Sequence, residues 1–150
     1  MPRVALVALA VLATSVGLGG CQTVDNGPLA TLQAMPDAHL PLYSGAVLVS
    51  ERAVPTSEGF LSAKVDAYVV RRFGLTAAAE PTVTQEAIIA YYASLLGPLG
   101  WGHPCSACAQ WTKPGYYFEL SFLSTPSQYS NLQGYTVAYD EYVSTRPAAP

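Results

Sequence analysis

Apolar residues recur every three or four positions at Ile88, Tyr91, Tyr92, Leu95 and Leu96, the spacing that lines one face of an α-helix. Thr84 suits the N-cap and Glu86 the positive end of the helix dipole. Gly97 can adopt the left-handed conformation that closes a helix, and Pro98 lacks the N–H to continue it, so the helix is expected to stop near Leu96. Elsewhere the period drops to two. Residues 61–73 alternate Val65, Ala67, Val69, Arg71 and Phe73 against Asp66, Tyr68, Val70 and Arg72. Tyr116, Phe118, Leu120 and Phe122 alternate with Tyr117, Glu119, Ser121 and Leu123, and residues 133–143 set Tyr135, Val137 and Tyr139 against Thr136, Ala138 and Asp140.

Two further strands complete the set. The run 46–49 is β-prone, and the short apolar stretch through Trp111 meets Lys113-Pro114-Gly115, a turn in which Pro presets one dihedral and Gly supplies a positive one. Residues 55–59 read as a turn and 124–132 as a polar loop. The predicted order is ββαβββ: an α+β domain with an antiparallel sheet of about five strands and one helix packed on one face.

The N-terminus carries an address. Arg3 precedes an apolar run over 4–16, too short to span a bilayer and suited to a signal peptide. Leu18-Gly19-Gly20-Cys21 then resembles the lipobox of bacterial lipoproteins. That resemblance implies removal of residues 1–20, a thioether-linked diacylglycerol on Cys21, and a protein tethered to a membrane outside the cytoplasm. Residues 21–40 mix Pro, Gly, Asn and Asp without a sustained period and read as the lipidated N-terminus and a tether. The domain is expected over 41–144, with a disordered tail at 145–150.

Composition agrees with a folded chain, since 51% of residues are apolar and 11% charged. The roughly 130 residues left after processing suffice for a core without a cofactor. Of seven basic residues Arg3 falls in the signal, leaving six against ten acidic ones. An acidic chain with no basic patch beyond Arg71-Arg72 has little to offer a phosphate backbone, so nucleic acid is not an expected partner.

Tyr91-Tyr92, Leu96 and Gly100-Trp101, preceded by the Pro/Gly-rich turn from Pro41 to Gly45, resemble the aromatic-Tyr, Leu, Gly-Trp pattern of small bacterial lipoproteins and envelope proteins. The resemblance covers most of 41–143 and implies an α+β fold and an extracytoplasmic location. It brings no catalytic residues.

Candidate chemistry concentrates in His103-Pro104-Cys105-Ser106-Ala107-Cys108. A c-type haem site needs His directly after the second Cys, where Ala109 stands. A thioredoxin-like pair needs to open a helix after a strand, whereas this pair follows a helix and runs into a strand. A zinc site with His103 lacks a fourth ligand, since the other histidine, His39, lies in the expected tether. A structural Cys105–Cys108 disulfide remains, worth about 2 kcal/mol in the chain-entropy account. Neighbours on a strand face opposite ways, so Asp140 with Glu141, and Arg71 with Arg72, cannot share a substrate atom. No Gly-x-Ser-x-Gly elbow is present, and neither His has a recognisable nucleophile partner. The ten Tyr read first as half-buried sheet surface and second as a ligand groove.

The expectation is a lipid-anchored, non-catalytic structural or interaction module of the envelope, without metal or cofactor, whose partners are the membrane through Cys21 and an envelope protein. A binding module for a small apolar or aromatic ligand comes second, and a thiol-disulfide redox protein using Cys105 and Cys108 third. A fatty-acid probe should label the wild-type chain and not Cys21→Ser, with equal labelling of both excluding lipidation at this residue.

Overall fold

The computed structural model describes residues 22–59, 62–76, 84–105 and 108–145. The expected signal peptide, Cys21 and residues 146–150 lie outside them. The fold is α+β, as the sequence predicts. Its centre is a five-stranded antiparallel sheet in the order β2 (Val47–Val54), β5 (Tyr68–Leu75), β8 (Val137–Thr145), β7 (Tyr116–Leu123), β6 (Gln110–Lys113), and the principal helix is α2 (Gln85–Leu96). A smaller sheet joins β1 (Gln22–Asp25), β3 (Thr56–Gly59) and β4 (Ser62–Val65) in the order β1-β3-β4.

Helix α2 begins where the sequence places it, with the Thr84 side chain accepting a hydrogen bond from the Ala87 N–H at 3.2 Å. Ile88, Tyr92 and Leu96 are fully buried and Tyr91 and Leu95 half-buried, so the predicted face is the packed one.

Helix α2 ends at Leu96 as expected, but the conformation of Gly97 is a correction. Gly97 stays right-handed at φ −54°, and the chain tightens into a 3-10 turn over Gly97–Leu99, a geometry that can carry Pro98. Gly100 takes the left-handed conformation instead, at φ 84°. Its N–H donates to the Gly97 carbonyl at 3.0 Å and the Trp101 N–H to the Leu96 carbonyl at 3.2 Å, the paired bonds of a Schellman motif. Gly100-Trp101 is therefore the helix stop itself. It turns the indole inward, where Trp101 is 4% exposed and meets Phe118 edge to face at 6.0 Å.

The expected tether is a second correction. Residues 22–40 fold as β1, a helix α1 (Gly27–Ala34) and a 3-10 turn over Pro36–His39. Pro28 occupies the first turn of α1, where a missing N–H costs nothing, and the Asp25 carboxylate accepts the Gly27 N–H at 2.9 Å. Leu32 and Leu40 enter the main core, and α1 lies near β5 and β8. Asp37 is buried, accepting from the Trp101 indole N–H at 3.0 Å and ion-paired with Lys113. Too few apolar residues alternate here to show a period, yet Leu32, Ala38 and Leu40 are buried and Leu29 and Met35 pack against the core, so the folded unit starts well before Pro41.

Smaller differences concern short strands, a strand interruption and strand ends. Residues 55–59, expected as a turn, hold β3, paired on both sides. The predicted strand over 61–73 is broken at Asp66-Ala67 into β4 and β5. The last strand starts at Val137 and runs through Thr145, which the sequence had placed in the tail. The β6–β7 hairpin forms at Pro114-Gly115 as expected, with Gly115 at φ 79°.

Truncating Leu32 to Ala should lower stability by about 2–5 kcal/mol, the range for a fully buried leucine. A Leu32→Ala chain with an unchanged denaturation midpoint would return residues 22–40 to the role of a tether.

Candidate functional site

Alternation along β5, β8 and β7 sorts the side chains onto two faces with different chemistry. The inner face, under the helices, carries Val69, Arg71 and Phe73 of β5, Tyr139, Glu141 and Val143 of β8, and Phe118 and Leu120 of β7, all buried. Arg71 stands directly across from Glu141. Its Nε donates to Glu141 Oε1 at 3.0 Å and its Nη2 donates to the same oxygen, while Oε2 has no partner among the described residues. The Tyr92 and Tyr139 hydroxyls lie 3.3 Å apart in the same layer. Burial pushes the Glu141 carboxyl above its usual range and Arg71 pulls it back in part. Burial likewise pushes Tyr139 up to about 12 and Tyr92 higher still. Closed off from solvent, this cluster can hold the sheet together but cannot meet a substrate.

The outer face is built from Tyr68, Val70 and Arg72 of β5, Asp140, Tyr142 and Ser144 of β8, and Tyr117, Glu119 and Ser121 of β7. At one end it is covered. The Tyr135 ring lies against Gly74, where a Cβ would come within 2.5 Å of it, so only glycine fits that position. Tyr129 sits by the Arg72 guanidinium at 5.5 Å, and Arg72 holds Asp140 through two bonds of 2.6 and 2.7 Å. At the other end the face is open. The Tyr68 and Tyr142 rings stand 5.3 Å apart at 34°, with Tyr117 edge-on to Tyr142 at 6.3 Å. A groove of about 370 Å³ runs between Val65, Asp66, Tyr68, Tyr117, Glu119 and Tyr142. A second, of about 240 Å³, continues past Glu119 and Tyr142 to Val70, Ser121 and Asp140. The Tyr117 hydroxyl donates to Glu119 Oε2 at 2.9 Å and holds that carboxylate where the grooves meet.

The residues singled out from the sequence lie elsewhere. Cys105 and Cys108 come together with their Cα atoms 5.3 Å apart, in the geometry of a disulfide, and the Cys108 N–H donates to the Cys105 carbonyl. The His103 ring is bonded to the Cys108 carbonyl at 2.6 Å and stacks on Trp111 at 4.7 Å, so it braces this loop against β6. Among the described residues neither Cys opens a helix, and no group of three metal-ligating side chains gathers. His39 bonds the Gln33 carbonyl at 2.8 Å in the turn after α1. The alternation rule holds for the charged neighbours: Arg71 and Glu141 point in, Arg72 and Asp140 out.

Sequence reasoning missed the two cross-strand ion pairs, Asp37, and the open carboxylates of the outer face. The ion pairs had a signal, because Arg71-Arg72 and Asp140-Glu141 run in opposite directions in an antiparallel pair and match one to one. Compared with protein families, with curated proteins and with solved structures, the chain finds no match.

Breaking the buried pair has a pH signature. A carboxyl whose pKa is higher folded than unfolded gives its full share of stability below the unfolded value and loses it as pH rises through the folded one. Arg71→Met leaves Glu141 buried alone and should cost about 3–5 kcal/mol at about pH 7, less at about pH 4 where Glu141 takes up a proton. Urea midpoints at the two pH values check this, and an equal loss at both would show that Glu141 is not the uncompensated group.

Proposed function

We propose that this protein is a lipid-anchored, extracytoplasmic interaction module without catalytic activity, and that the open end of the outer sheet face is its contact surface. The observation that carries the reading is the division of the sheet: both helices pack on one face, and the other presents half-buried tyrosines around two joined grooves. Exposed aromatic surface with a polar rim is a common mark of a contact site, because tyrosine combines large apolar area with a hydrogen-bonding tip. The lipobox-like Leu18-Gly19-Gly20-Cys21 supports the anchor and the location.

The same geometry bears on the second reading. Between α2 and the sheet, Tyr92, Trp101 and Trp111 each meet the Phe118 ring at 5.6–6.0 Å, which leaves a small apolar ligand the outer groove rather than the core. The third reading, thiol-disulfide exchange, finds no helix opening at Cys105 among the described residues to stabilise a thiolate.

A photo-reactive amino acid placed in living cells at Ser121, exposed on the outer face, should give discrete crosslinks, and one at Glu86, exposed on α2, should not. The same products from both positions, or none from Ser121, would remove the outer face as the contact surface.

A further inference from the structure

The fold grips its own cations in a repeated way. Lys113 Nζ lies 4.9 Å from the Trp101 ring and 5.6 Å from the Tyr116 ring, and Asp37 supplies the carboxylate. Arg72 lies 5.5 Å from the Tyr129 ring, and Asp140 supplies the carboxylate. Each site combines an aromatic ring, whose face attracts positive charge, with an anion that neutralises it.

The open groove holds the same parts in a third place. Tyr68 and Tyr142 provide inclined rings, and Asp66 and Glu119 provide carboxylates in the same groove. Among the described residues no Lys or Arg lines either groove, and neither Asp66 nor Glu119 belongs to an ion pair. Asp140 is already held by Arg72, so Asp66 and Glu119 set the charge of the open end. We propose that this groove binds a lysine or arginine side chain carried on an extended segment of a partner protein.

This inference rests on the contact-surface reading above and gives its partner a chemistry. An anionic partner would face Asp66 and Glu119 with no base to receive it. A zwitterionic lipid headgroup would bring its phosphate against the same carboxylates, which disfavours a membrane as occupant. The two grooves are shallow and join end to end through Glu119 and Tyr142, a shape that suits an extended chain better than a compact molecule.

The test uses the full chain purified in detergent and three pentapeptides, Gly-Lys-Gly-Lys-Gly, its Nε-acetylated form, and Gly-Glu-Gly-Glu-Gly, titrated by calorimetry. The lysine peptide should bind, and acetylation should weaken it by about tenfold or more, since it removes the charge both carboxylates and rings attract. Glu119→Gln, an isosteric change, should weaken binding about fivefold or more at an unchanged melting temperature, with Tyr68→Leu as an independent second variant. Glu51→Gln, on the exposed edge strand β2, should leave it unaltered. Equal affinity for the lysine and acetylated peptides, or undiminished affinity in Glu119→Gln, would overturn the proposal. So would stronger binding to phosphatidylethanolamine vesicles than to matched vesicles without an amine headgroup. If no peptide binds while Ser121 crosslinks persist, the cationic partner is wrong and the contact surface stands; if the crosslinks are also absent, both fall.

Discussion

The pairing of Arg71 with Glu141 and of Arg72 with Asp140, directly across β5 and β8, fixes which side of the sheet every other residue faces. Slipping the register by one residue would turn the apolar set of β5 to solvent. Slipping it by two would set Arg71 opposite Tyr139 or Val143 and leave Glu141, 1% exposed, without its cation. A buried ion pair adds little net stability over an apolar pair of the same shape, but breaking it is expensive, so its effect falls on specificity. Register selection is the sense in which the rest of this structure depends on it.

With the register set, the inner face becomes a layer of rings that α1 and α2 must cover. The Schellman motif at Gly100 turns Trp101 down onto Phe118, and Asp37 holds the indole N–H and Lys113 together. One carboxylate thus joins the N-terminal segment, the helix exit and the β6–β7 hairpin. This explains how a helix of eight residues, too short to persist alone, stays ordered: its hold comes from Leu32, Leu40 and Asp37 rather than from its own hydrogen bonds.

Wherever one face of an element is dry and the other wet, the chain was legible. The Thr84 cap, the Ile88-Tyr92-Leu96 face and the ββαβββ order of the main sheet follow from periods of 3.6 and 2, because burial itself imposes those periods. The three-stranded sheet and α1 were not legible. Strands of four residues are too short for alternation to show, and the 22–40 segment packs through isolated residues whose partners are far off in sequence. The outer groove was legible only as a choice between two readings of the tyrosines, since the sequence does not say which end of the face Tyr129 and Tyr135 would cover. The chemically conspicuous His103, Cys105 and Cys108 braced a loop, while quieter residues such as Glu119 and Asp66 lined the open face.

The central claim is that the register divides the tyrosines into a closed layer and an open surface, and nitration of the native full chain, mapped residue by residue by mass spectrometry, tests it most directly. Tyr68 and Tyr142 should react well ahead of Tyr92 and Tyr139, both of which are 0% exposed. Reaction of Tyr92 or Tyr139 at the rate of Tyr142, or protection of Tyr68 and Tyr142 in the isolated chain, would contradict the account.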